Sequence, residues 1–183
     1  MIIGTEENSI PQEEQENTIT DRQWLANYLH LEPDDDFFSL MGDFVLYWSL
    51  FEKVFFDKDC TYDKLENWNE PFVIDEANCE AFISTLRKWY LNPDGRENNS
   101  AIRKLYHDRE KPNKKYLIDG MKSSNMADRK RAIAIVVFRY RNNMFHGEKE
   151  IAENVGRYRE LFFFANRFLR DCLKAKIERK NAG

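Results

Sequence analysis

Two stretches of this chain repeat large apolar residues at alternating spacings of four and three, a pattern that suits a helix and not a strand. The first series is Phe37, Met41, Phe44, Trp48, Phe51 and Phe55; the second is Ile151, Val155, Tyr158, Phe162, Ala165, Leu169 and Cys172. A strand would alternate with a period of two, whereas about 3.6 residues per turn places each series on one narrow stripe. A stripe sustained over five turns is a seam along which long helices pack. The fold class expected is therefore all-α, with the two seams packed near antiparallel in an up-and-down bundle. A parallel sheet anywhere in residues 21–183 would contradict it.

The rest of the chain divides around these seams. Residues 1–20 hold five glutamates, no Lys or Arg and no apolar period, which predicts a flexible acidic tail before a single domain over 21–183. Thr20-Asp-Arg-Gln23 fits a capping box opening a short helix, with Trp24, Leu25, Tyr28 and Leu29 on one face and Pro33 as its stop. Asp34-Asp-Asp36 then begins a helix near 35–57. Carboxylates are favoured at the positive end of a helix, and no further ligand spacing follows that would make a metal site. Residues 58–74 lack a period and read as a loop. Asp75 caps a helix to about residue 91, and Asn92-Pro-Asp-Gly95 is a turn.

Two short helical pieces follow, Ile102–Tyr106 and Lys115–Met121, broken by Pro112 and Gly120. Tyr106, His107 and Tyr116 are interleaved there with Arg103, Lys104, Arg109, Lys111, Lys114 and Lys115. Such a mixture can grip a nucleic-acid backbone and stack bases; it is equally a solvated basic face with two core tyrosines. A last helix is expected over about 150–180.

The stretch from Asn125 to Gly147 carries the chemistry. Ile133, Val136, Val137, Tyr140 and Met144 form its apolar stripe, Asn125 can cap its start and Gly147 its end. Arg139, Asn142, Asn143 and His146 fall together opposite Val137. Arg141 lies about 40° from Val137, at the edge of the apolar stripe, by the helical period. An arginine there needs a partner or an anion.

The spacing Arg141-Asn142-x-x-x-His146, followed by Gly147 and another long helix, resembles the Arg-x(4–6)-His motif of the HEPN superfamily. The resemblance implies a HEPN-like up-and-down helical bundle, here with an extra N-terminal helix and short helical insertions. It also implies a metal-independent endoribonuclease, a toxin or phage-defence effector that assembles as a homodimer and is in some systems held by an antitoxin protein. Arg141, His146 and Asn142 would be catalytic, with Asn142, the polar residue after the arginine, orienting the phosphate or the histidine. Arg139 and Asn143 are weaker candidates for substrate contact. Glu52, in the segment FEKVFF, is another, since that segment is similar to the first bundle helix of some members.

The chemistry expected is attack of the RNA 2′-OH on its own phosphate, giving a 2′,3′-cyclic phosphate and a 5′-hydroxyl. A histidine can move the protons and a guanidinium can bind the charged phosphate oxygens. Each chain offers one motif histidine, so a two-fold axis would supply the second. Arg141 and His146 lie roughly 140° apart on an ideal helix, which demands a distorted last turn or completion of each site by the other chain. The alternative is a non-catalytic HEPN-like module that binds RNA or a protein partner.

Charge and cysteines set the surroundings. Residues 1–100 carry 7 Lys/Arg against 22 Asp/Glu, a balance of −15, while residues 101–183 carry 21 against 10, a balance of +11. That asymmetry points to RNA on the basic half, or to halves that complement one another internally. Cys60, Cys79 and Cys172 show no C-x-x-C spacing and read as reduced thiols of a cytoplasmic protein. No secretory pattern, membrane-length apolar run, Gly-rich phosphate loop or Cys/His metal spacing is present, so neither a membrane, a metal nor a cofactor is expected.

Overall fold

Several helices of the chain begin where the sequence offers a side chain to hold the first turn. In this computed structural model residues 19–28, 32, 35–71, 74–106, 113–145 and 154–181 are described. They form α1 Asp21–Tyr28, α2 Asp35–Phe56, α3 Tyr62–Glu66, α4 Glu76–Tyr90, α5 Asn99–Tyr106, α6 Lys114–Lys122, α7 Met126–Phe145 and α8 Val155–Asn181. The protein is all-α: among the described residues the only β pairing is one isolated bridge, Leu91 with Glu97, across the turn that Gly95 closes at φ +76°.

The caps follow the expected chemistry. The Thr20 N–H donates to the Gln23 side chain at 2.9 Å and the Gln23 N–H returns to the Thr20 hydroxyl at 3.3 Å, a reciprocal capping box. Asp75 accepts from the Asn78 N–H at 2.7 Å, and Asn125 accepts from the Ala127 N–H at 2.8 Å. The described part of the α1 face named above is not buried, and Leu29 lies outside the described residues. Trp24, Leu25 and Tyr28 are exposed, and only Ala26 is buried in this helix.

Two short elements depart from expectation. The stretch 58–74 contains helix α3, capped by the Thr61 hydroxyl and anchored by buried Leu65. Five helical residues are too few to show a 3.6-residue period, which is why the stretch reads as a loop. Gly120 does not break the second short helix but lies inside α6, where α7 comes close. A Cβ there would stand 2.7 Å from the Cβ of Ala132 and would press on the Asp128 carbonyl. The glycine is a packing device rather than a stop signal.

Helix α7 is the axis of the core. Ala132 through Val137 are all fully buried, so this stretch is enclosed on every side instead of along one stripe. Around it stand α2 with Phe44, Trp48 and Phe51, α4 with Phe82, Ile83 and Leu86, and α8 with Leu161, Phe162 and Leu169.

The helix directions also differ from the alternation expected. Arg159 of α8 lies over Phe37, Asn166 donates to the Leu40 carbonyl, and Phe168 packs on Phe51. Partner numbers rise together, so α2 and α8 run parallel rather than antiparallel. By the same reasoning α4 and α7 run parallel, through Glu80–Arg129 and Tyr90–Tyr140, while α4 and α8 are antiparallel, through Asn78–Asp171 and Phe82–Phe164. The long helices therefore go up, down, down and up. The segment holding α5 and α6 makes the long return that two successive helices of one direction require.

Candidate functional site

At the C-terminal end of α7, five consecutive side chains fan out to different neighbours because each is turned by about 100° from the last. Arg139 goes toward α3 and α5, Tyr140 toward α4 and α8, and Arg141 toward α2. Asn142 pairs with Arg141, and Asn143 donates to the Leu105 carbonyl of α5 at 3.4 Å.

Arg141 sits where the apolar stripe ends. Its Nη2 is 3.8 Å from the Glu52 carboxylate and its Nη1 donates to the Asn142 side-chain oxygen at 3.0 Å. Glu52 is the more buried partner, with 17% of its side chain exposed against 34% for Arg141. The second Glu52 oxygen accepts from the Cys60 backbone N–H at 3.3 Å. That bond is possible because the chain turns sharply after α2, with Asp57 at φ 51° and Lys58 at φ 65°, both in the left-handed region that non-glycine residues avoid. The turn closes with the Lys58 N–H on the Glu52 carbonyl and folds Cys60 back over the carboxylate.

The Cys60 thiol is pushed up to about 12, first by burial and then by Glu52, against the opposing pull of Arg141. It is therefore protonated at neutral pH and no nucleophile. The stretch thus assembles one cation, one carboxylate and one amide: Arg141, Glu52 and Asn142. Glu52, named above only as a weak candidate, is the residue that receives Arg141. The turn at 57–60 that arranges it left little signal in the sequence: Asp57 is a residue that tolerates the left-handed region, but Lys58 is not, and no glycine marks either position.

Arg139 stands apart from this group. It is 8% exposed, with its guanidinium 4.2 Å from the Tyr62 ring centroid on one side and 4.1 Å from that of Tyr106 on the other. Burial lowers its hold on the proton while the two tyrosines oppose the loss. Stacking on two ring faces suits a weakly hydrated guanidinium, which explains how a charged residue fits here. As placed, Arg139 is a packing residue and not an open contact for substrate. For Tyr106 the burial decides between the two readings given above: at 1% exposure it is a core tyrosine rather than a stacking platform, and burial pushes its hydroxyl up to about 12. Tyr116 remains exposed, with Arg131 over its ring at 5.5 Å.

His146 and Gly147 lie outside the described residues, as do His30 and His107. Of the motif, the placement of Arg141, Asn142 and Asn143 is described. Asn143 faces α5, on a different side of α7 from Arg141.

The acidic and basic halves of the chain meet in several ion pairs. Arg129 reaches Glu80 at 2.6 Å, Lys176 reaches Glu70 at 3.0 Å, and Lys114 pairs with Glu97. With Arg141–Glu52, these contacts take up part of the asymmetry internally. No helix among the described residues is long and apolar enough to cross a membrane. Comparison with known proteins adds no identification: no family model matches the chain, and no curated protein or solved structure is significantly similar to it.

Proposed function

We propose that this protein is a metal-independent endoribonuclease of the HEPN type, acting as a toxin or defence effector, with Arg141 and His146 as its catalytic pair. The observation that carries the reading is the Arg141-Asn142-x-x-x-His146 spacing at the exit of the buried central helix, where Arg141 emerges from the core with part of its side chain open.

In the reaction one His146 takes the proton of the RNA 2′-OH, whose oxygen attacks the adjacent phosphorus. The P–O5′ bond breaks, and the leaving oxygen receives a proton from the His146 of a second copy across a two-fold axis. Arg141 stabilises the charge gathering on the phosphate oxygens, and Asn142 keeps the guanidinium oriented. Glu52 holds Arg141 in place until a phosphate displaces it. DNA, without a 2′-OH, is not cut.

The test is incubation of the purified protein with total RNA in EDTA, beside His146→Ala and Arg141→Ala. Cleavage to 2′,3′-cyclic phosphate ends, lost in both variants, supports the reading. Absence of cleavage by a dimeric, folded wild-type protein removes it. The pairing of Arg141 with Glu52 favours a second reading, a non-catalytic HEPN-like module that binds RNA or a protein partner such as an antitoxin. RNA binding that weakens with salt, without cleavage, distinguishes it.

A further inference from the structure

A cavity of about 40 Å³ lies between α4, α5, α7 and the start of α8, around the α7 surface from Arg141. Its polar lining includes Lys104, Arg157, Asn143, Asn154 and three tyrosines, and no carboxylate lines it among the described residues. We propose that this cavity is a binding site for a phosphate group. The inference rests on the cavity alone and does not depend on RNA cleavage.

Arg157 carries the case. Its guanidinium lies 4.7 Å from the Trp89 ring centroid and 5.1 Å from that of Tyr90, and its Nε is buried with no hydrogen-bond partner among the described residues. The groups facing it are neutral. The Tyr90 and Tyr140 hydroxyls share a hydrogen bond of 3.0 Å, and burial holds the Tyr90 proton well above the usual tyrosine range. Other arginines of this chain withdrawn from solvent have a carboxylate, as Arg129 has Glu80, or two ring faces, as Arg139 has. Arg157 is held by the Trp89 and Tyr90 rings and by hydrogen bonds to the Tyr90 and Tyr140 hydroxyls, all uncharged, and it lines the cavity beside them.

Position strengthens the charge argument. Arg157 is in the first turn of α8, the positive end of a 27-residue helix, where a cation is disfavoured unless an anion answers it. Lys104 adds a second positive charge from α5. Asn143 spends one N–H on the Leu105 carbonyl and keeps another for a ligand. A water needs roughly 10–15 Å³ of such volume, so the cavity has room for a few waters or one tetrahedral oxyanion. Two cations, an amide and a helix start around that space fit phosphate, and a guanidinium can meet two of its oxygens at once.

The phosphate has two sources, a free ion or the end of an RNA strand, and the same measurement separates them. Thermal unfolding is followed with increasing potassium phosphate against potassium chloride at equal ionic strength, with the Lys104→Gln, Lys104→Glu and Arg157→Gln variants alongside. Lys104 is exposed on α5, so its variants fold even if Arg157→Gln does not. Phosphate should raise the melting temperature saturably, and Lys104→Gln should weaken its apparent affinity about tenfold. Lys104→Glu places a carboxylate at the cavity that Arg157 lines, so it should abolish the response while raising the melting temperature of the unliganded protein. Short RNAs bearing a 5′-phosphate or a 5′-hydroxyl are then competed against phosphate. Preference for the phosphorylated strand assigns the site to RNA ends; equal, non-competing behaviour of the two strands assigns it to free phosphate. No phosphate-specific shift in the wild type, or a shift unchanged in both Lys104 variants, overturns the proposal.

Discussion

Alanine at Gly120 and alanine at Gly42 should move stability in opposite directions, although both positions are helical. Gly42 lies on the outer face of α2, where an added Cβ meets nothing within 4 Å. There the substitution gains only the helix propensity of alanine over glycine, about 1 kcal/mol. At Gly120 the same Cβ would sit 2.7 Å from the Ala132 Cβ and closer still to the Asp128 carbonyl oxygen. Carbon atoms pack at about 3.5–4 Å, so α6 and α7 must part by about 1 Å. Ala132 is fully buried in the helix at the centre of the core, which leaves that helix little room to yield. Overpacking of this kind costs about 1–3 kcal/mol, and the backbone contact places it near the top of that range. After the propensity gain, the net loss is about 2 kcal/mol. For a chain of 183 residues that corresponds to a fall of roughly 4–8 °C in melting temperature for Gly120→Ala, against a rise of roughly 2–4 °C for Gly42→Ala. Calorimetry and urea melts of both variants measure it. A Gly120→Ala protein as stable as the wild type would refute the close approach of α6 to α7.

Lys58→Gly should stabilise the fold by about 1 kcal/mol in urea melts, because it removes a lysine from φ 65°; an unchanged midpoint would mean that the turn after α2 is not left-handed. The buried thiols make the protein sensitive to alkali. Cys60 and Cys79 ionise at 9.0 when unperturbed but near 12 and 11 in the fold, so above pH 9 the unfolded chain loses protons that the native state keeps. Stability should hold below pH 9 and then fall by roughly 1.4 kcal/mol per pH unit for each thiol as pH rises toward the native values, a slope that Cys→Ala variants reduce. In the RNA assay, His146→Ala should lower the cleavage rate at least about 100-fold with unchanged far-UV circular dichroism, and retained activity would exclude this histidine.

What the chain wrote locally was legible locally. The four-three seams marked α2 and α8, and Thr20, Asp75 and Asn125 marked the starts of α1, α4 and α7, because a period or a cap involves residues within a few positions of one another. The spacing of Arg141, Asn142 and His146 was equally visible, and so was the position of Arg141 at the edge of the stripe. Direction was not. A seam has the same period whether its partner runs parallel or antiparallel, and only the long return through α5 and α6 sets α4 beside α7 in the same sense. Nor was the fate of the polar residues of α7 written in its own sequence. Arg139 and Arg141 look alike on a helical wheel except in angle; one is closed between Tyr62 and Tyr106, the other meets Glu52. Those partners stand 77, 33 and 89 positions away along the chain. Burial and charge pairing belong to the space between helices, and that space exists only once the helices have packed.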